Sequence, residues 1–157
     1  MNTSKNDDDS VRAITEYFNE QIPFNKVLGL RVESINPESV SAVFQMRVDL
    51  LGHSSRRMLH GGVIAAVIDV TGGLSALMNI QDDAGRNFDA RMKKADWLST
   101  LDLRVDFLRP ATGNSFIVKG CPLRTSKKIA VIRTELINDE DNLVAVGTAT
   151  YHLSKDK

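Results

Sequence analysis

The stretch LHGGVIAAVIDVTGGLSALM, residues 59–78, constrains this chain more than any other. Apolar and small residues fill it, so a helix formed here is apolar on every face and has to be covered nearly all round. A membrane span would cover it, and the run from Gly61 to Ile80 has the roughly 20 residues that a span requires. Asp69 at its centre, four glycines, and the polar Thr71, Ser75 and Asn79 argue against that reading, because a central charge is costly in lipid. No membrane partner is expected. The remaining way to bury the helix is a sheet that curves around it.

The rest of the chain supplies such a sheet. Residues 29–36 and 40–48 read as two strands joined by the turn Asn36-Pro37-Glu38-Ser39. Leu101, Leu103, Val105 and Phe107 alternate with Asp102, Arg104 and Asp106, the period of a strand with one buried face, and Pro110 ends that run. Residues 115–124, 128–138 and 143–153 give three more strands, the last two joined by the polar turn 138–142. Links this short imply antiparallel pairing. The expected fold class is α+β: a curved antiparallel sheet wrapped around a long central helix at about residues 60–78.

Ahead of the strands, Ser10 is a plausible N-cap for a helix to about Gln21, with Val11, Ile14 and Phe18 on one face and Pro23 ending it. Residues 1–9 read as a disordered tail, and residues 10–157 as a single domain. Leu51 to Met58 reads as a polar loop. Gln81 to Leu98 reads as a short amphipathic insertion, with Phe88, Met92, Ala95 and Leu98 near helical spacing. With Trp97, these could roof a tunnel, or pack their apolar face on the body of the domain.

Charge and cysteine content narrow the function. The 20 basic and 20 acidic residues balance, so the broad positive footprint of a nucleic-acid binder is missing. Cys121 is the single cysteine and reads as packing, and the 3 histidines are scattered, so no disulfide, metal site or metal cofactor is expected. The opening MNTSKNDDDS is polar and acidic, the opposite of a signal peptide, which makes a cytoplasmic setting the expectation. There is no Gly-x-Ser-x-Gly elbow, no Cys–His arrangement and no glycine-rich nucleotide fingerprint.

Chemistry points back to the apolar helix. His60-Gly61-Gly62 opens it, and free N–H groups at a helix start attract negative charge. Gly61 and Gly62 are therefore candidate donors to a carbonyl oxygen turning negative. Asp69 lies eight residues beyond Gly61, about 12 Å along the axis, too far to reach a carbonyl held by its own Gly61. A second copy of the helix running antiparallel alongside would bring the two together, and a two-fold dimer does so twice. On the residues alone the plainer account stays open: the glycines start a helix and Asp69 caps a neighbouring backbone group.

LHGGVIAAVIDVTGGL, with STLDLRVDFLRPA, IPFNKVLGL and KKIAVIRTELINDEDNLVAVGTATYHL, resembles the hotdog-fold acyl-CoA thioesterases of the PaaI-like type, and in particular the YigI-type medium- and long-chain enzymes. The resemblance runs over about residues 11–153. It implies hydrolysis of acyl-CoA to free acid and coenzyme A, with no cofactor, by a homodimer with shared active sites, often a dimer of dimers. It places Asp69 at the family's catalytic carboxylate, as general base or nucleophile, and Gly61, with Gly62, at the oxyanion donor. His60 falls at a positioning histidine and Thr100 at a hydroxyl that helps hold the water. Many relatives carry an asparagine six or seven residues before the histidine; here Ser54 and His53 stand there. Arg56, Arg57, Arg109, Lys127 and Lys128 are the candidate contacts for the phosphates of coenzyme A, the lysines lying where relatives often meet the nucleotide end. A hotdog module that binds acyl-CoA without cleaving it is the other reading.

Overall fold

The computed structural model describes residues 3–36, 38–79 and 88–154. Helix α1 (Thr3–Glu20) starts ahead of Ser10 and takes in most of the stretch expected to be a disordered tail. No glycine or proline interrupts residues 3–10. Once Ile14 and Phe18 are buried in the core, each residue added in front costs little and gains a helical hydrogen bond. A second short helix, α2 (Pro23–Leu28), stops at Gly29, whose left-handed φ of 67° lets the chain turn into the first strand.

Strands β1 (Arg31–Ile35) and β2 (Val40–Gln45) follow. The expected polar loop contains a small antiparallel ribbon, β3 (Leu51–His53) with β4 (Met58–Leu59), because backbone pairing over so short a span needs no apolar face. Next come the long helix α3 (Gly61–Asn79) and helix α4 (Phe88–Ala95). The expected insertion at 81–98 falls outside the described residues up to 87. The last four strands are β5 (Ser99–Phe107), β6 (Ser115–Thr125), β7 (Ile129–Asn138) and β8 (Leu143–His152). Asn138 fixes the β7–β8 turn, its Oδ1 accepting from the backbone N–H groups of Glu140 and Asn142 at 3.1 and 2.9 Å.

The main sheet has six antiparallel strands in the order β1-β2-β6-β7-β8-β5, and α3 packs against five of them. Burial alternates along β7, where Ala130, Ile132, Thr134 and Leu136 face the helix. By the same alternation Cys121, expected in the packing, points out of β6 and is exposed. Thr134 pairs with Gly120 on one side and Gly147 on the other, which makes a row of small residues across the sheet. A methyl on Gly147 would come within 2.3 Å of Ile68 Cγ2, so this row is what lets α3 lie close to the sheet. From Thr71 to Leu77 the helix is buried on all sides, as expected; from Gly61 to Val70 it keeps a partly open strip.

The free face of the helix is covered from the N-terminal side. Ile14 and Phe18 of α1 join the core against α3. Helix α4 docks through Arg91, whose Nη1 donates to the carbonyls of Leu77 and Met78 at 3.0 and 2.8 Å and so closes the end of α3. Phe88, Ala95 and Leu98 pack inward, whereas Trp97 stays half exposed.

Candidate active site

Asp69 sits midway along α3, at the edge of the buried half of the helix. Two hydroxyls hold it. Thr100 Oγ1 donates to Asp69 Oδ1 at 2.9 Å. The Tyr151 hydroxyl donates to the Asp69 carbonyl at 2.9 Å and lies 3.3 Å from the same Oδ1. Thr100 and Tyr151 are direct neighbours across β5 and β8, and a bulge follows Thr100, between it and Asp102. Bulges re-aim side chains, and here Thr100 is turned onto the helix.

Tyr151 is the neighbour of Asp69 that sequence reasoning passed over. Its signal lies in two places. The inward positions of β8 before it are Ala145, Gly147 and Ala149, all small, and then a large aromatic ends the series. The helix facing it carries Gly72-Gly73, and a methyl on Gly72 would come within 2.3 Å of the phenol oxygen. The glycine pair clears room for the chain's own tyrosine. Burial, with the charge of Asp69, pushes ionisation of this phenol well above its ordinary value of 10.0. Above that pH the unfolded chain gives up the proton and the folded one keeps it, so stability falls as pH rises, by about 1.4 kcal/mol per pH unit. Tyr151→Phe is expected to remove that part of the slope, measured by urea unfolding at pH values on either side of 10.0.

A cavity of about 260 Å³ opens beside these groups. Ile14 and Phe18 from α1, Leu74 from α3, and Met92 and Leu98 from the α4 segment line it with apolar surface; Asp69, Thr100 and Tyr151 also face it. Such a space suits an apolar chain attached to a polar reacting group.

The helix start lies elsewhere. His60 Nδ1 accepts a 2.8 Å hydrogen bond from the Gly62 N–H, so His60 works as a cap and the Gly62 N–H is engaged within its own chain. The next two N–H groups, of Val63 and Ile64, bond to the His60 carbonyl. Among the described residues nothing accepts from the Gly61 N–H, which stays open beside the ring of Phe107. Gly61 and Asp69 are on the same helix at the separation expected, and a single chain does not bring them together.

The candidate coenzyme A contacts divide into two groups. His53, Ser54, Arg56 and Arg57 are exposed on the tip between β3 and β4, and that ribbon lies against His60. His53 Nδ1 is 3.1 Å from Ser55 Oγ, and Arg57 takes a left-handed φ of 47°. Lys127 and Lys128 are exposed in the β6–β7 turn, which lies near Ala130, the partner of Tyr151 across the sheet. Arg109 is engaged structurally, with Nη1 donating to the Leu143 carbonyl at 2.8 Å where β8 begins.

An antiparallel sheet around one long helix, with a carboxylate on that helix facing an apolar cavity, is the arrangement of a hotdog domain. Residues 57–145 match the thioesterase superfamily, and the chain belongs to that family. It is 34% identical to the medium/long-chain acyl-CoA thioesterase YigI of Escherichia coli over 143 residues, 90% of this chain and 92% of that one. A candidate thioesterase from Syntrophus aciditrophicus superposes with a TM-score of 0.83 at 46% identity, covering 96% of this chain and 99% of the other. A Shewanella oneidensis protein related to the thioesterase superfamily gives 0.87 at 32% identity, over 94% and 97% of the two chains.

Proposed function

We propose that this protein hydrolyses acyl-CoA thioesters, with a medium or long acyl chain, to the free acid and coenzyme A, at a site shared by two copies of the chain and without a cofactor. The observation that carries the reading is the placement of Asp69. A carboxylate held by two hydroxyls on the wall of an apolar cavity can take a proton from water or attack a thioester carbonyl, while the cavity receives the acyl chain. In the general-base form, Asp69 accepts a proton from water as the oxygen attacks the carbonyl carbon. The carbonyl oxygen becomes negative, and collapse of that intermediate expels the sulfur of coenzyme A, which leaves as the thiol once protonated.

The developing oxyanion needs a donor, and the open Gly61 N–H of the same chain lies too far along the helix to supply it. Strand β5 supports a two-fold arrangement that offers one. It lies at the edge of the sheet, with Thr100 beside Asp69 near one end and Phe107 beside Gly61 at the other. Leu101, Phe107 and Leu108 leave large apolar surface along it, more than a solvated edge carries comfortably. Two β5 strands pairing antiparallel about their centres would set Phe107 of one copy opposite Thr100 of the other. The Gly61 N–H of the second copy then stands near the Asp69 carboxylate. In that pair, Lys127 and Lys128 of one chain and Arg56 and Arg57 of the other flank one site, where the phosphates of coenzyme A would lie.

Release of free thiol from a panel of acyl-CoAs of graded chain length tests the proposal. Turnover that rises with apolar chain length and then falls is the expected result. Binding without thiol release, seen as a rise in Tm with no cleavage at any length, would replace hydrolysis with acyl-CoA binding.

A further inference from the structure

We propose that Tyr151 is a positioning residue: with Thr100 it clamps Oδ1 of Asp69 and leaves Oδ2 as the oxygen that acts on water or thioester. The inference rests on the hydrolytic reading above and adds a residue and an atom to it. Both hydroxyls converge on the same carboxylate oxygen, Thr100 at 2.9 Å and Tyr151 at 3.3 Å. Among the described residues no donor reaches Oδ2. The carboxylate is thus divided into a held oxygen and a free one.

The phenol does something Thr100 does not. Its single proton is shared between the main-chain carbonyl and the side-chain carboxylate of one residue, at 2.9 and 3.3 Å, which ties the Asp69 side chain to its own helix turn. A donor in that place limits rotation of the carboxylate about its first side-chain torsion. Tyr151 is 1% exposed, and its ring is fixed by the core around β8. In such surroundings a donor keeps its place beside the charged group it faces. The helix is built to admit it: Gly72 is three residues from Asp69, on the same face, and leaves the slot that the hydroxyl fills.

A buried tyrosine that had only found an acceptor would be satisfied by the carbonyl alone. The two accounts differ in kinetics. Tyr151→Phe keeps the ring and removes the hydroxyl. If the clamp positions the base, kcat falls about tenfold while KM stays within about twofold, the loss of one charge-assisted bond that matters in the transition state. A lower Tm with kcat unchanged would overturn the proposal. Thr100→Val in the same background should add less than its own single loss, since the two donors act on one atom.

A readout without turnover guards against misfolding of the phenylalanine variant. Tyr151→Phe should lower stability less in the Asp69→Asn background than in the wild type, read by urea unfolding, since the charge facing the phenol is gone; equal losses in the two backgrounds would overturn the contact. Wild-type kcat in Tyr151→Phe alongside a dead Asp69→Asn would remove the clamp and keep the hydrolytic reading. No thiol release from the wild type would remove the hydrolytic reading, and the stability comparison would still test the contact.

Discussion

Asp69→Asn is expected to fold like the wild type and to hydrolyse acyl-CoA about a thousandfold more slowly, within the range that a positioned base contributes. The substitution is close to isosteric. An amide oxygen can still accept from Thr100 and Tyr151, so the contacts that seat residue 69 are kept. Loss of a half-buried charge costs the fold little, because a carboxylate in such a place is desolvated in the native state. The amide, however, neither takes a proton from water nor attacks a thioester. Circular dichroism and a thermal melt check the fold, and thiol release at saturating substrate checks the chemistry. A variant that melts normally and turns over at the wild-type rate would take the carboxylate out of the reaction.

That prediction rests on a residue visible in the sequence from the start, and the reason is physical. A charge inside a run as apolar as residues 59–78 stands out because burial penalises it. Helix α3 was legible as an unbroken apolar run and β5 by its period of two, each over eight or more residues. The start of α1 was not, because residues 3–9 are all polar and carry no apolar period to read, so their helicity comes from propagation out of a packed segment. Tyr151 was hidden differently. Its own strand shows only a large aromatic after small inward residues; its contact with the carboxylate depends on Asp69 meeting it from another element, 82 residues away in the chain. Gly72 makes room for the chain's own tyrosine. Gly62 illustrates the limit at shorter range: a helix start offers several open N–H groups, and only the rotamer of His60 decides which of them is taken.

Mixing two inactive variants is expected to restore about a quarter of wild-type activity if each site joins Gly61 of one chain to Asp69 of the other. One parent is Asp69→Asn. The other is Gly61→Pro, which deletes the N–H in question with little disturbance. Gly61 is the first residue of α3, where proline is favoured, and the extended backbone that proline asks of its predecessor suits His60 as the cap. A Cβ at Gly61 meets the Phe107 ring at 3.5 Å, an ordinary contact. Loss of one oxyanion donor should lower kcat of this parent by about a hundredfold to a thousandfold. Random pairing on co-refolding makes half of the dimers mixed. In a mixed dimer one site inherits both lesions and the other inherits neither, so one site in four overall is whole. Each parent refolded alone supplies the baseline. A mixture no more active than that baseline would mean that each chain completes its own site, and the antiparallel pairing of β5 would lose its catalytic purpose. Recovery would tie together the apolar edge strand, the open N–H of Gly61 and the lone carboxylate of Asp69, since none of the three completes a thioesterase site within one chain.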